Sequence, residues 1–163
     1  MELWLRKYLI KESIISVVFN FIVGAFFALL FFYSLETVPL RGEQSIAGDS
    51  IIAAFMIPFF TCFILTALTR HRIRMGSIPE YECEFPGPLA LRILPASIML
   101  RSILVGCIGV MVVIPLVMGV FATLDLSELS FKAFFFFKSV LAAAIAAIIA
   151  PLAILTAVNK FSG

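Results

Sequence analysis

Four long runs without a charged side chain constrain the fold of this chain more than any other feature. They cover residues 14–33, 51–69, 102–124 and 139–159, and none contains Asp, Glu, Lys or Arg. Because an α-helix rises about 1.5 Å per residue, about 20 residues cross a hydrocarbon layer about 30 Å thick. Such continuous apolar runs are unlike the alternating strands of a β-barrel. The runs therefore predict four transmembrane helices, at about residues 13–35, 50–70, 102–124 and 138–159.

The overall composition excludes a soluble globular domain. Of the 163 residues, 63% are hydrophobic and only 13% are charged, whereas about a quarter of the residues of a globular protein are charged. This chain has too little polar surface to cover an apolar core in water, so lipid must be its solvent. The net charge of +2 is small and unevenly distributed, which argues against nucleic acid as a partner. The sequence predicts an all-α integral membrane protein.

The basic residues predict its orientation. Nine of them lie before the first span, between the second and third spans, or after the fourth, and three lie in the other two loops or at their edge. The nine are Arg6, Lys7, Lys11, Arg70, Arg72, Arg74, Arg92, Arg101 and Lys160, and the three are Arg41, Lys132 and Lys138. Because cytoplasmic segments carry the excess of basic residues, both termini are predicted to be cytoplasmic. The short loops suit a bacterial inner (plasma) membrane.

The second half of the chain repeats features of the first at an offset of 89 to 90 residues. Asp49-Ser50 falls on Lys138-Ser139, and residues 64–70 fall on residues 154–160 with several identities. Each half has two spans, so both halves enter the membrane from the same side and form parallel repeats. The predicted units are a first hairpin at residues 1–74, a cytoplasmic linker at residues 75–89 and a second hairpin at residues 90–163.

A short amphipathic segment precedes each hairpin. Residues 2–12 carry Trp4, Tyr8 and leucines on one side and basic residues largely elsewhere, and residues 89–101 show a similar division. Each segment is predicted to form a short helix in the headgroup layer, because aromatic and basic side chains anchor a protein at that level. We expect these helices to set the tilt of the spans rather than to act as sensors.

Small residues recur within the spans at helical spacing. They permit close approach of helices where no hydrophobic effect separates helix from lipid, so they are candidates for helix packing or for lining a pore. The candidates are Ser16, Asn20, Gly24, Ala28, Gly106, Gly109, Ala142, Ala146 and Ala150. The sequence leaves open whether these surfaces meet within one chain or between chains.

Charged residues at the span ends supply two further candidates. Arg70, Arg72 and Arg74 follow the second span directly and are candidates for binding anionic lipid headgroups. Asp49 and Lys138 occupy corresponding positions in the two halves, so they could form an ion pair across the axis that relates the repeats.

The sequence favours a function without catalysis. It contains no recognisable catalytic motif, cofactor-binding motif or metal-binding motif, and it has a single histidine. Two functions stay open: a scaffold or accessory subunit of a membrane assembly, and a small oligomeric channel or transporter. The first is preferred, because ion pathways usually display ionisable residues within the membrane. In either case the expected partners are the lipid bilayer and either further copies of the chain or a larger membrane protein.

Overall fold

The computed structural model describes residues 3–78 and 95–159, which form four long helices and two short strands. The helices are α1 (Leu3–Phe32), α2 (Ile46–Arg74), α3 (Ile98–Thr123) and α4 (Phe131–Asn159), and the strands are β1 (Thr37–Pro39) and β2 (Glu128–Ser130). All four helices are long and apolar enough to cross a membrane. The prediction of an all-helical chain with four candidate transmembrane helices is therefore confirmed.

The ends of α2 show how local sequence sets the helix limits. Ser45 caps its start, where the side-chain oxygen accepts a hydrogen bond from the Gly48 backbone N–H at 3.2 Å. At its far end Met75 donates its backbone N–H to the carbonyl of His71 at 3.0 Å. Gly76 follows with φ of +66°, a left-handed conformation that glycine adopts without strain.

The helices pack in the order α1, α4, α2, α3. Helix α1 packs against α4, α4 packs against α2, and α2 packs against α3, so α2 and α4 are the inner helices. Strands β1 and β2 connect the members of the two hairpins and pair antiparallel, with Val38 opposite Leu129. We call the end of the bundle with these strands the turn end. The opposite end, where α2 ends and α3 begins, is the linker end.

Two buried apolar clusters hold the bundle together, one at each end. The cluster at the turn end contains Ala28, Phe32, Val38, Ile46, Val117, Phe121 and Phe134. The cluster at the linker end contains Leu5, Leu9, Cys62, Leu65, Ile73, Ile78, Ala150, Ala153, Ile154 and Val158. Many other large apolar side chains are exposed on the outside of the helices, which is the distribution expected where lipid is the solvent.

The structure differs from the predicted short helix at residues 2–12. Helix α1 runs without interruption from Leu3 to Phe32, and Leu5, Leu9 and Glu12 are buried in the bundle. They continue the buried stripe of α1 at helical spacing, so the apolar side of this segment meets protein and not lipid. Residues 89–94 of the second predicted surface helix lie outside the described residues, as do residues 79–89 of the predicted linker, and residues 98–101 form the first turn of α3.

Candidate functional site

The small-residue stripe of α1 lies in its interface with α4. Ser16, Asn20, Gly24 and Ala28 are all buried. A Cβ atom added to Gly24 would lie 3.1 Å from the Cβ of Ala142 and make close contact with the α4 backbone. A side chain at this position would be tightly packed against α4, so glycine permits the close approach of the two helices.

The small residues of α3 and α4 also face neighbouring helices of the same chain. Ala142, Ala146 and Ala150 are almost completely buried on α4. A Cβ atom on Gly106 would lie 2.9 Å from the ring of Phe55, and one on Gly109 would lie 2.8 Å from Pro58. In the structure these seams close between helices of one chain.

Asn20 is satisfied within its own helix. Its side-chain amide donates to the backbone carbonyl of Ser16 at 2.9 Å and approaches the Ser16 hydroxyl at 3.4 Å. The residue is buried against the neighbouring helix, with 9% of its surface exposed. Its amide therefore caps a backbone carbonyl inside a packed interface, a structural use of a polar side chain in a membrane helix.

Asp49 and Lys138 form an ion pair between the two inner helices near the turn end. Lys138 is 7% exposed, and its Nζ lies 5.3 Å from the ring centre of Phe32 and 5.9 Å from that of Phe134. Aromatic faces at these distances attract a cation. The ammonium group thus has an anion and two aromatic rings as partners inside the bundle.

The basic cluster after the second span is engaged with the protein. Arg72 donates to the carboxylate of Glu12 at 2.6 Å and to the hydroxyl of Tyr8 at 3.2 Å, which joins α2 to α1. Arg70 donates to the backbone carbonyl of Ala96 at 3.3 Å, and Arg74 also has an interaction within the chain. Arg72, a predicted headgroup ligand, therefore compensates the charge of the buried Glu12.

The sequence did not indicate the burial of Arg101. This residue lies in the first turn of α3, its side chain is completely buried, and none of its three guanidinium nitrogens has a hydrogen-bond partner in the structure of residues 3–78 and 95–159. Arg70 and Cys62 of α2 lie near it. The repeat register aligns Arg101 with Glu12 at the start of the first span. This alignment of two charged residues is the signal in the sequence, and the structure buries both of them.

Other chemical groups are sparse. Among the residues that the structure describes, no group of three His, Cys, Asp or Glu side chains could hold a metal ion. Cys62 is buried at the linker end and Cys107 is exposed on the outside of α3, and both are free thiols. No protein family, curated protein or solved structure matches the chain. The function must therefore be inferred from the geometry of these residues.

Proposed function

We propose that this protein is a non-catalytic scaffold or accessory subunit of a membrane assembly, which acts through the outer faces of its helices. In this proposal it is a bacterial inner-membrane protein of two tandem two-helix hairpins, with both termini in the cytoplasm. The observation that carries the proposal is the division of the helices into packed inner seams and broad apolar outer faces.

The order of helix contacts supports the tandem repeat. If the two hairpins are exchanged, α1 takes the place of α3 and α2 takes the place of α4. The contact of α1 with α4 then becomes the contact of α3 with α2, and the contact between α2 and α4 is unchanged. Both kinds of contact are present. The pairing of β1 with β2 and of Asp49 with Lys138 also joins corresponding segments of the two hairpins. A parallel repeat about an axis along the membrane normal accounts for all of these contacts.

The charge distribution supports the proposed orientation. The linker end carries Arg6, Arg70, Arg72 and Arg74 in the described residues, whereas the turn end carries mainly acidic side chains such as Glu36 and Glu43. The positive-inside rule places the linker end in the cytoplasm. Lys138 adds little positive charge to the turn end, because it is paired with Asp49.

The outer faces are the surfaces that a partner helix could contact. On α1 they include Phe19 and Phe26, which are 60% and 57% exposed, and on α3 they include Met111 and Leu116, which are 75% and 61% exposed. The seams, in contrast, are closed by small residues, and the Asn20 amide is bonded within α1. This division favours a scaffold over a channel, because a channel needs polar groups along an open route.

Photocrosslinking in native membranes tests the proposal. Benzoylphenylalanine would replace Phe19, Phe26, Met111 or Phe136, the last of which is 62% exposed on α4. We expect one outer face to give an adduct of defined mass with a different membrane protein. The matched control is Phe134, which lies two residues from Phe136 and is completely buried, so its derivative should give no adduct between chains.

Two other results would contradict the scaffold proposal. Adducts between copies of this chain, together with ion or solute flux in proteoliposomes, would favour the oligomeric channel or transporter. Adducts with lipid alone from all four exposed positions would indicate that the outer faces have no protein partner.

A further inference from the structure

Arg101 carries a charge that the described protein does not compensate. Its side chain is 0% exposed, and its Nε and both Nη atoms have no hydrogen-bond partner within the described ranges. A guanidinium group has five N–H donors and stays protonated in proteins. Burial of such a group without an anion or hydrogen-bond acceptors is costly, so a native position of this kind calls for a compensating group.

The packing of α3 on α2 places this charge well inside the bundle. Gly106 lies against Phe55, Gly109 lies against Ala54 and Pro58, and the antiparallel course of the two helices brings Arg101 close to Cys62. Helix α2 ends at Arg74. The twelve residues from Cys62 to that end correspond to about 18 Å of helix. Arg101 therefore lies within the packed part of the bundle and not beyond the end of α2.

The face of α2 opposite Arg101 offers further donors. Cys62, Thr66 and Arg70 follow one another at four-residue spacing and so lie on one stripe of the helix. Thr66 is completely buried and its hydroxyl has no partner among the described residues. The Nε atom of Arg70 is also buried without a partner, although another nitrogen of its guanidinium donates to Ala96. Arg70 and the unpartnered hydroxyl of Thr66 thus follow Cys62 along one stripe of α2, over about two turns of helix.

The acidic residue buried at this end of the bundle is already in use. Glu12 is 3% exposed and accepts a hydrogen bond from Arg72 at 2.6 Å, on the side of α2 that faces α1. Its charge is therefore directed to a different arginine. Arg70 carries a like charge close to Arg101, so it does not compensate the charge of Arg101.

We propose that Arg101 and Arg70, with the hydroxyl of Thr66, form a binding site for a phosphate-type oxyanion. A guanidinium fork binds two oxygens of a phosphate at once, and the negative charge of the phosphate offsets positive charge of the arginines. Free phosphate offsets more of it than a lipid phosphodiester, which carries less charge. The remaining oxygens can accept from the threonine hydroxyl. Either the phosphate of a lipid headgroup or free phosphate can supply this chemistry. The inference does not depend on the proposed scaffold function.

The test measures anion-dependent stability of the purified full chain in an uncharged detergent and a phosphate-free buffer. Thermal unfolding is followed with inorganic phosphate, with phosphatidylglycerol, or with sodium chloride at matched ionic strength. We expect phosphate or phosphatidylglycerol, but not chloride, to raise the Tm of the wild-type protein. Stabilisation by phosphate identifies a free anion as a ligand, whereas stabilisation by phosphatidylglycerol alone identifies a lipid headgroup.

Variants assign the effect to the site. Arg101→Met should weaken the apparent affinity by roughly tenfold to a hundredfold, since a hydrogen bond to a charged group contributes about 1.5–3 kcal/mol and about 1.4 kcal/mol is tenfold. Arg101→Lys keeps the positive charge but loses the forked guanidinium group. Its apparent affinity for the anion should therefore lie between that of the wild type and that of Arg101→Met. Arg6→Met removes an exposed charge from the same end of the bundle and should respond to the anion as the wild type does.

Three results would overturn the proposal. The first is a wild-type protein that neither phosphate nor phosphatidylglycerol stabilises beyond the effect of chloride. The second is an Arg101→Met variant that keeps the full anion response. The third is a loss of Tm when Glu80, Glu82 and Glu84 of the predicted linker are replaced by Gln in the wild type, with no such loss in Arg101→Met. That result would identify a carboxylate of the same chain as the partner of Arg101.

Discussion

Lys138 and Arg101 are buried cations at opposite ends of the same bundle, and their surroundings differ. Lys138 has the carboxylate of Asp49 and the rings of Phe32 and Phe134 around its ammonium group. Arg101 is also buried, but within the described residues its guanidinium has no acceptor, and Arg70 is a like charge near it. The same fold therefore holds one cation that is compensated internally and one that is not.

The difference separates two uses of charge in a membrane protein. A compensated pair such as Asp49 and Lys138 joins the two inner helices and fixes their register, so its partners are all in the fold. An uncompensated cation is stable only when something else supplies the anion. The comparison thus predicts that substitution of Asp49 or Lys138 acts on stability directly, and that substitution of Arg101 acts through a ligand.

Loss of Lys138 should have the largest effect. Lys138→Met leaves the carboxylate of Asp49, whose side chain is 15% exposed, without its cation. Removal of one partner from a buried pair costs about 3–5 kcal/mol, so we expect a loss of that order in the free energy of unfolding. The measurement is reversible unfolding in mixed detergent micelles.

The double variant Asp49→Leu with Lys138→Met is the control for this prediction. It removes both charges, so much of the lost stability should return, and a double-mutant cycle should show strong coupling. If the two single substitutions lower stability additively, the pair does not stabilise the contact between the inner helices.

The seam between α2 and α3 should show the next largest effect. Gly109→Ala introduces a Cβ atom that would overlap the carbonyl of Ala54 and lie 2.8 Å from Pro58, whereas Gly119 on the same helix has open space. Overpacking costs about 1–3 kcal/mol. We expect Gly109→Ala to lower the free energy of unfolding by that amount and to weaken the anion response of Arg101.

Gly119→Ala is the matched control, because alanine favours a helix more than glycine and meets no neighbour there. It should leave stability unchanged or raise it slightly. Equal losses for both variants would mean that the close approach of α3 to α2 does not determine the effect.

Much of the fold could be predicted from the sequence, because hydropathy is a local property. The four spans appear as four charge-free runs, and each corresponds to one helix of the structure. The register of the two halves brought Asp49 and Lys138 to the same level, and the structure joins them in an ion pair. Both inferences needed only the order and spacing of residues along the chain.

The burial of Arg101 and the course of α1 could not be predicted in the same way. The burial of Arg101 depends on the position of α3 along the axis of α2. Contacts of Gly106 and Gly109 with residues about fifty positions earlier in the chain set that position. Likewise, the apolar side of residues 2–12 is suited to lipid or to protein, and only the packing of Leu5 and Leu9 decides between them. Periodicity and composition do not specify contacts between residues that are far apart in the chain.

Arg101→Met should have the smallest effect on the free energy of unfolding. The sign of that effect distinguishes an uncompensated charge from a compensated one. In the absence of phosphate and anionic lipid, Arg101→Met removes a buried charge that has no partner among the described residues. Replacement of buried charge by an apolar side chain is often neutral or stabilising. We therefore expect the free energy of unfolding to stay within about 1 kcal/mol of the wild-type value or to rise, in contrast to the loss at Lys138.

With the anion present, the wild type should instead be more stable than Arg101→Met, since only the wild type gains stability from binding. A large loss in anion-free detergent would instead show that Arg101 is compensated within the chain, and the contrast between the two ends of the bundle would not hold.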